Sequence, residues 1–171
     1  MIDHRAVLSA IFALIFACIG PAARSAEGED QAALIKAVSG AKVSLQQGLA
    51  ASTSNGQPIS GKFEIENGKL QLSVYTAKDG KFYEVLVDYT TGAPAKVEPI
   101  TEGDDLAAAK AQSAAMAKSK TQLKEALDKA TGQASAARAV SVAPELKDGH
   151  VVASIALLKG NQLETITERL D

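Results

Sequence analysis

Carboxylates are the side chains in this sequence with the most chemical potential. Glu64 and Glu66 flank Ile65 on one side of an alternating segment, and Glu27, Glu29, Asp30 and Asp104-Asp105 form local acidic groups. Paired carboxylates can exchange protons or hold hard cations. Alternating Glu on a half-buried strand is also the ordinary solvent face, and Asp at a helix start complements the helix dipole. The second reading is the expectation here. Imidazole is limited to His4 and His150, and thiol to Cys18. Nucleophilic catalysis needs a nucleophile, a base and an orienting group. His150 directly follows Asp148-Gly149 and reads as an exposed turn residue. The chain contains no HExxH, no Gly-x-Ser-x-Gly and no glycine loop fit for phosphate. It is therefore expected to be no enzyme, with no catalytic residue, no metal ligand and no cofactor.

Composition narrows the partners. The 171 residues carry 18 Lys+Arg against 20 Asp+Glu, a formal net charge of −2, with no basic patch interleaved with aromatics. Nucleic acid is disfavoured on both counts. Hydrophobic residues make up 46%, but 32 positions are Ala, which buries little area, so the core is thinner than that figure suggests.

The first 25 residues read as an address. A short polar start with Arg5 precedes 14 uncharged apolar residues, Ala6–Ile19, then Gly20-Pro21 and small residues up to Ala26. That order is a secretory signal peptide, too short to span a bilayer comfortably. Cleavage after Ser25 leaves Ala23 and Ser25 in the small-residue positions. Ile15-Phe16-Ala17-Cys18 loosely follows a lipobox, the minor alternative of a lipoprotein through Cys18. Otherwise the mature chain has no cysteine and no further long apolar run, which suits a periplasmic protein that does not span the membrane.

The rest is one unit written twice. Leu45 and Leu49 within Gly40–Ser52 match Leu123 and Leu127 within Lys118–Thr131, each pair on one helical face. Alternating segments follow in both halves. Phe63 and Ile65 precede the Asn67-Gly68 turn, and Leu70, Leu72 and Val74 share a face. Asp79-Gly80 leads into Phe82–Tyr89. In the second half, Val140 and Val142 precede Asp148-Gly149, then Val151, Ala153, Ile155 and Leu157 alternate, and Lys159-Gly160-Asn161 leads into Leu163–Leu170. Matching Gly80 with Gly160, Glu84 with Glu164 and Leu86 with Ile166 gives a period of about 80. Pro99–Gly103 is the join, and a single long helix is expected from Asp104 to Ala130, whose residues are good helix formers. The fold class is α+β: units at 26–100 and 101–171, each a helix covering one face of an antiparallel, mostly three-stranded meander. The aromatics beyond the signal segment (Phe63, Tyr75, Phe82, Tyr83, Tyr89) all lie in the first unit, so the second should lean on the first as a docked pair.

Gly61–Val97 resembles the PepSY family, through Tyr83-Glu84-Val85 and the Val-Asp-x-x-Thr-Gly pattern of Val87, Asp88, Thr91 and Gly92. The likeness covers roughly residues 40–98. Over 118–171 it is degenerate: Thr165-Ile166-Thr167 replaces Val85-Leu86-Val87, and no Thr-Gly turn follows. The resemblance implies a non-catalytic, exported binding module whose partner is another envelope or secreted protein, with restraint of a protease as one role. The alternative is a small-ligand or metal-sensing accessory protein for envelope signalling. Parity turns Tyr75 away from Leu72 and Val74, which makes it the expected contact residue, and assigns Tyr83 and Tyr89 to the core.

Overall fold

Seven antiparallel strands form one continuous sheet in the order β4-β3-β2-β1-β5-β6-β7. The computed structural model describes residues 23–134 and 136–171, so the expected signal segment lies almost wholly outside the described residues. Helix α1 (Ala23–Gly40) and helix α2 (Leu45–Ala51) lead into β1 (Gln57–Glu66), β2 (Lys69–Lys78), β3 (Lys81–Val87) and β4 (Pro94–Ile100). Helix α3 (Gly103–Met116) and helix α4 (Leu123–Gln133) then lead into β5 (Arg138–Lys147), β6 (His150–Lys159) and β7 (Gln162–Arg169).

The hairpins follow from the turn residues. Asn67-Gly68, Asp79-Gly80 and Asp148-Gly149 each place two successive residues at positive φ, the geometry whose twist matches paired strands. At the last hairpin only Gly160 is positive (φ 61°), so the turn changes type. The glycine there moves from the second turn position to the first, while the strands keep one offset. Val74 faces Val85 in the first unit, and Ile155 faces Ile166 in the second. Ile166 therefore matches Val85, not Leu86, and the strands repeat at 81 positions. The expected pairings Gly80/Gly160, Glu84/Glu164 and Leu86/Ile166 are each one residue out, which would have placed opposite faces together. Leu45 and Leu123 remain 78 apart, so the second unit carries three extra residues between helix and first strand.

Two separate sheets were expected; one is present. Gly61 faces Val142 and Lys62 faces Ser141, and this short ladder fuses the units edge to edge. Each seam strand carries a bulge just before it, at Pro58/Ser60 and at Ala139/Ser141. Such bulges bend a strand and end its pairing, which keeps the seam short. Gly61 lets α2 pack closely there: a Cβ would sit 3.2 Å from side-chain carbons of both Leu45 and Leu49, a tight fit. Arg138 of β5 also reaches across, donating to the Val43 carbonyl and lying over the Phe63 ring at 5.7 Å.

Helices α2 and α4 lie side by side on one face, linked by Gln46 and Thr131 at 3.2 Å. A capping box starts α2, with Ser44 and Gln47 each accepting the other's backbone N–H. Leu45, Leu49, Leu123 and Leu127 are all buried, on the faces their spacing predicts. The long helix expected over 104–130 is instead broken into α3 and α4. No Gly or Pro marks the break; the backbone N–H groups of Lys120 and Thr121 donate to the Leu170 carbonyl, at 2.7 and 3.0 Å. Lys42 and Val43 donate to Tyr89 in the same way, at 2.9 and 3.1 Å. Each unit thus clips its helix entry to the end of its third strand. Helix α3 crosses the opposite sheet face. Ser60, which alternates with Gly61, donates to Gln112 of α3 at 2.7 Å. The single-faced helical cover expected from sequence is therefore corrected to helices on both faces.

Candidate functional site

Beneath α3, the sheet face is polar. Ser60, Lys62 and Glu64 alternate along β1, Ser73 and Tyr75 along β2, and Glu84 projects from β3. The Lys62 ammonium sits 2.6 Å from Glu64 and 5.8 Å from the centre of the Tyr75 ring. Ser73 donates to Glu64 at 3.1 Å, and the Gln71 amide donates to Ser73 at 2.9 Å. The Tyr75 hydroxyl donates to Glu84 at 3.3 Å. Ser60, Lys62, Ser73 and Tyr75 are all buried, so these groups satisfy one another rather than water.

Electrostatics follow the geometry. Burial raises the Glu84 carboxyl above its ordinary value, and neighbouring Glu64 adds to it; hydrogen bonds from Ser73 and Tyr75, and the Lys62 charge, pull the other way. Burial first, then the Glu84 and Glu64 carboxylates, hold the Tyr75 phenol far above its usual range. Tyr75 thus serves as a hydrogen-bond donor to Glu84.

Tyr75 does turn away from Val74, as parity requires. It is not an exposed contact residue: only 2% of it is accessible, because α3 covers this face. The contact role expected for it is corrected on that ground. Glu64 likewise leaves the solvent face expected for it and joins the buried network. Of the tyrosines assigned to the core, Tyr83 is half-buried and Tyr89 is 36% exposed, since both lie near strand ends.

The remaining motif residues build a turn. Asp88 accepts the backbone N–H groups of Thr90 and Thr91, each at 2.8 Å, and these bonds hold its carboxyl below the usual range. Gly92 has φ 80° and donates back to the Asp88 carbonyl at 2.8 Å. Asp88, Thr91 and Gly92 therefore reverse the chain from β3 into β4, while Val85 is fully buried against the helical core. These are local, structural tasks.

Two carboxylates, an ammonium and a phenol could move protons, but substrate needs access. Among the described residues, three open clefts of about 320, 540 and 500 Å³ are lined by side chains other than Lys62, Glu64, Tyr75 and Glu84. Among the described residues no group of three or more His, Cys, Asp or Glu side chains could hold a metal ion. His150 is exposed, and its Nδ1 lies 2.8 Å from an Asp171 carboxylate oxygen with no nucleophile among its hydrogen-bond partners.

The sheet edges differ more than any cleft. Edge strand β4 carries Pro94 and Pro99, a Lys96–Glu98 ion pair and a register shift. Edge strand β7 has neither proline nor bulge and pairs with β6 without interruption from Gln162 to Arg169. No helix among the described residues is long and apolar enough to cross a membrane. No protein-family model, curated protein or solved structure matches the chain.

Proposed function

We propose that this protein is a non-catalytic, exported, PepSY-like binding module that captures an extended segment of another envelope or secreted protein, a protease among the candidates, by strand addition at β7. The carrying observation is the asymmetry of the edges. Prolines and a register shift blunt β4, whereas β7 offers an uninterrupted row of outward N–H and C=O groups. The polar network on the α3 side supports the non-catalytic part, because Lys62, Glu64, Ser73, Tyr75 and Glu84 are engaged with one another. Export rests on the N-terminal apolar run, and the family assignment on the Asp88–Gly92 turn and its neighbours.

Adjacent residues of an antiparallel strand point their N–H groups to opposite sides. Thr165→Pro and Ile166→Pro therefore separate the edge from the ladder. The variant whose N–H faces solvent should keep its thermal stability and lose partner capture from the native envelope fraction. The other should lose stability as well. Undiminished capture by the stable variant would rule out β7 as the binding edge. Thermal stabilisation by a small molecule or cation, with no captured protein, would favour the ligand-sensing alternative.

A further inference from the structure

Three asparagines occur in the chain, and two of them precede glycine, at Asn55-Gly56 and Asn67-Gly68. Glycine has no side chain to shield its backbone nitrogen, so that nitrogen can attack the side-chain carbonyl of the asparagine before it. The fold treats the two pairs differently. Asn55 ends a short 3-10 helix (Ser52–Asn55), and its carbonyl accepts from the Thr76 hydroxyl at 3.2 Å. The Gly56 N–H donates to the Thr53 carbonyl at 3.2 Å, and a Cβ on Gly56 would meet the Ala77 carbonyl oxygen at 2.6 Å. That nitrogen is engaged and packed against β2. Asn67 and Gly68 instead lie exposed at the tip of the β1–β2 hairpin, and the space a Gly68 Cβ would take is open. The other asparagine, Asn161, precedes Gln162, whose side chain screens the backbone nitrogen.

We propose that Asn67 is a modification site, where spontaneous deamidation turns a neutral hairpin tip into an acidic one. The Gly68 nitrogen bonds to Cγ of Asn67 and passes its proton through solvent to Nδ2, which leaves as ammonia and closes a succinimide ring. Water then opens the ring. Cleavage between Cγ and the Gly68 nitrogen gives aspartate on an unaltered backbone. Cleavage between the main-chain carbonyl carbon and that nitrogen gives isoaspartate, with the backbone routed through Cβ and Cγ. The net exchange is amide and water for acid and ammonia, with nothing oxidised or reduced. The fold accommodates the first product. Asp79-Gly80 and Asp148-Gly149 hold the same two turn positions, each aspartate at φ 52° against 50° for Asn67. The second product lengthens a two-residue turn whose length fixes the β1–β2 register. Either product adds a negative charge beside Glu66, in the wall of a cleft of about 540 Å³ that also includes Lys69, Asp88 and Tyr89. This modification is independent of what β7 binds.

Ageing the folded chain in mildly alkaline buffer, then mapping its tryptic peptides by mass, tests the proposal. Trypsin places the two Asn-Gly pairs on separate peptides, Val43–Lys62 and Phe63–Lys69. Conversion at Asn67 should run about tenfold ahead of conversion at Asn55, the rate factor for freeing one backbone hydrogen bond. In urea the two rates should converge, because the gap comes from the fold. Asn67→Asp carries the product with the unaltered backbone. It should keep the natural urea midpoint, and its Phe63–Lys69 peptide should co-elute with one of the two products that ageing forms. Equal conversion of both sites in the folded chain, or faster conversion at Asn55, overturns the proposal. So does a folded chain that leaves Asn67 intact while the urea-unfolded chain converts it. A lowered midpoint for Asn67→Asp would overturn the fit of aspartate in this turn.

Discussion

Leu127→Ala should cost about 2–5 kcal/mol of unfolding free energy, read as a lower urea midpoint. Leu127 has no accessible surface, and Leu49, its counterpart across the helix pair, has 2%. Both project from short helices onto the middle of the sheet, where α2 and α4 meet. Truncation there removes buried methyl groups and leaves a cavity that the rigid sheet below cannot refill. Because domains of this size hold only about 5–15 kcal/mol in reserve, the loss is a large share of the total. Leu49→Ala should behave alike. Leu146→Ala is the control, since Leu146 is 50% exposed on the outer end of β5. It should change stability by no more than about 0.5 kcal/mol. Near-natural midpoints for both core variants would mean that the helix faces are wrongly assigned.

A second large effect is expected from Tyr75→Ala, of about 3–5 kcal/mol, the range for removing a buried aromatic ring. The ring fills the space between the sheet and α3 and carries the Lys62 ammonium above it. Tyr75→Phe keeps the ring and deletes only the donor to Glu84. It should cost less, about 0.5–1.5 kcal/mol, the range for an ordinary intramolecular hydrogen bond. The ordering of the two variants separates packing from polarity. A neutral Tyr75→Ala would show that α3 does not cover this face.

Local features were legible in the sequence because they are encoded locally. Asn67-Gly68, Asp79-Gly80 and Asp148-Gly149 specify tight turns by their tolerance of positive φ. The leucine pairs at 45/49 and 123/127 specify helix faces by spacing alone, and the structure buries all four. What escaped was long-range. Nothing in β1 or β5 announces that Gly61 meets Val142, so the fusion of two meanders into one sheet could not be read in advance. The break after Met116 escaped for the same reason. Lys118–Thr121 contains no helix breaker, and a carbonyl some fifty residues later captures the freed N–H groups. Strand β4 was hidden because Pro94 and Pro99 mark a join as readily as an edge strand.

Tyr75 shows where parity stops. Alternation correctly gave its side of the sheet, but exposure depends on what covers that side, and α3 is too alanine-rich to advertise a packing face. The polar network was missed for a related reason. Glu64 on an alternating strand reads as solvated until a second layer is placed above it. Each of these corrections comes from the same architectural fact, that the two units share one sheet with helices on both faces.

That shared sheet is tested most directly by calorimetry of the chain. If β1 and β5, α2 and α4, and the crossing helix α3 bind the halves into one body, heat should unfold them together. The predicted result is a single transition whose calorimetric and van't Hoff enthalpies agree, shifted as a whole to lower temperature by Leu127→Ala in the second unit. Two resolved transitions, with Leu127→Ala moving one and leaving the other in place, would contradict it.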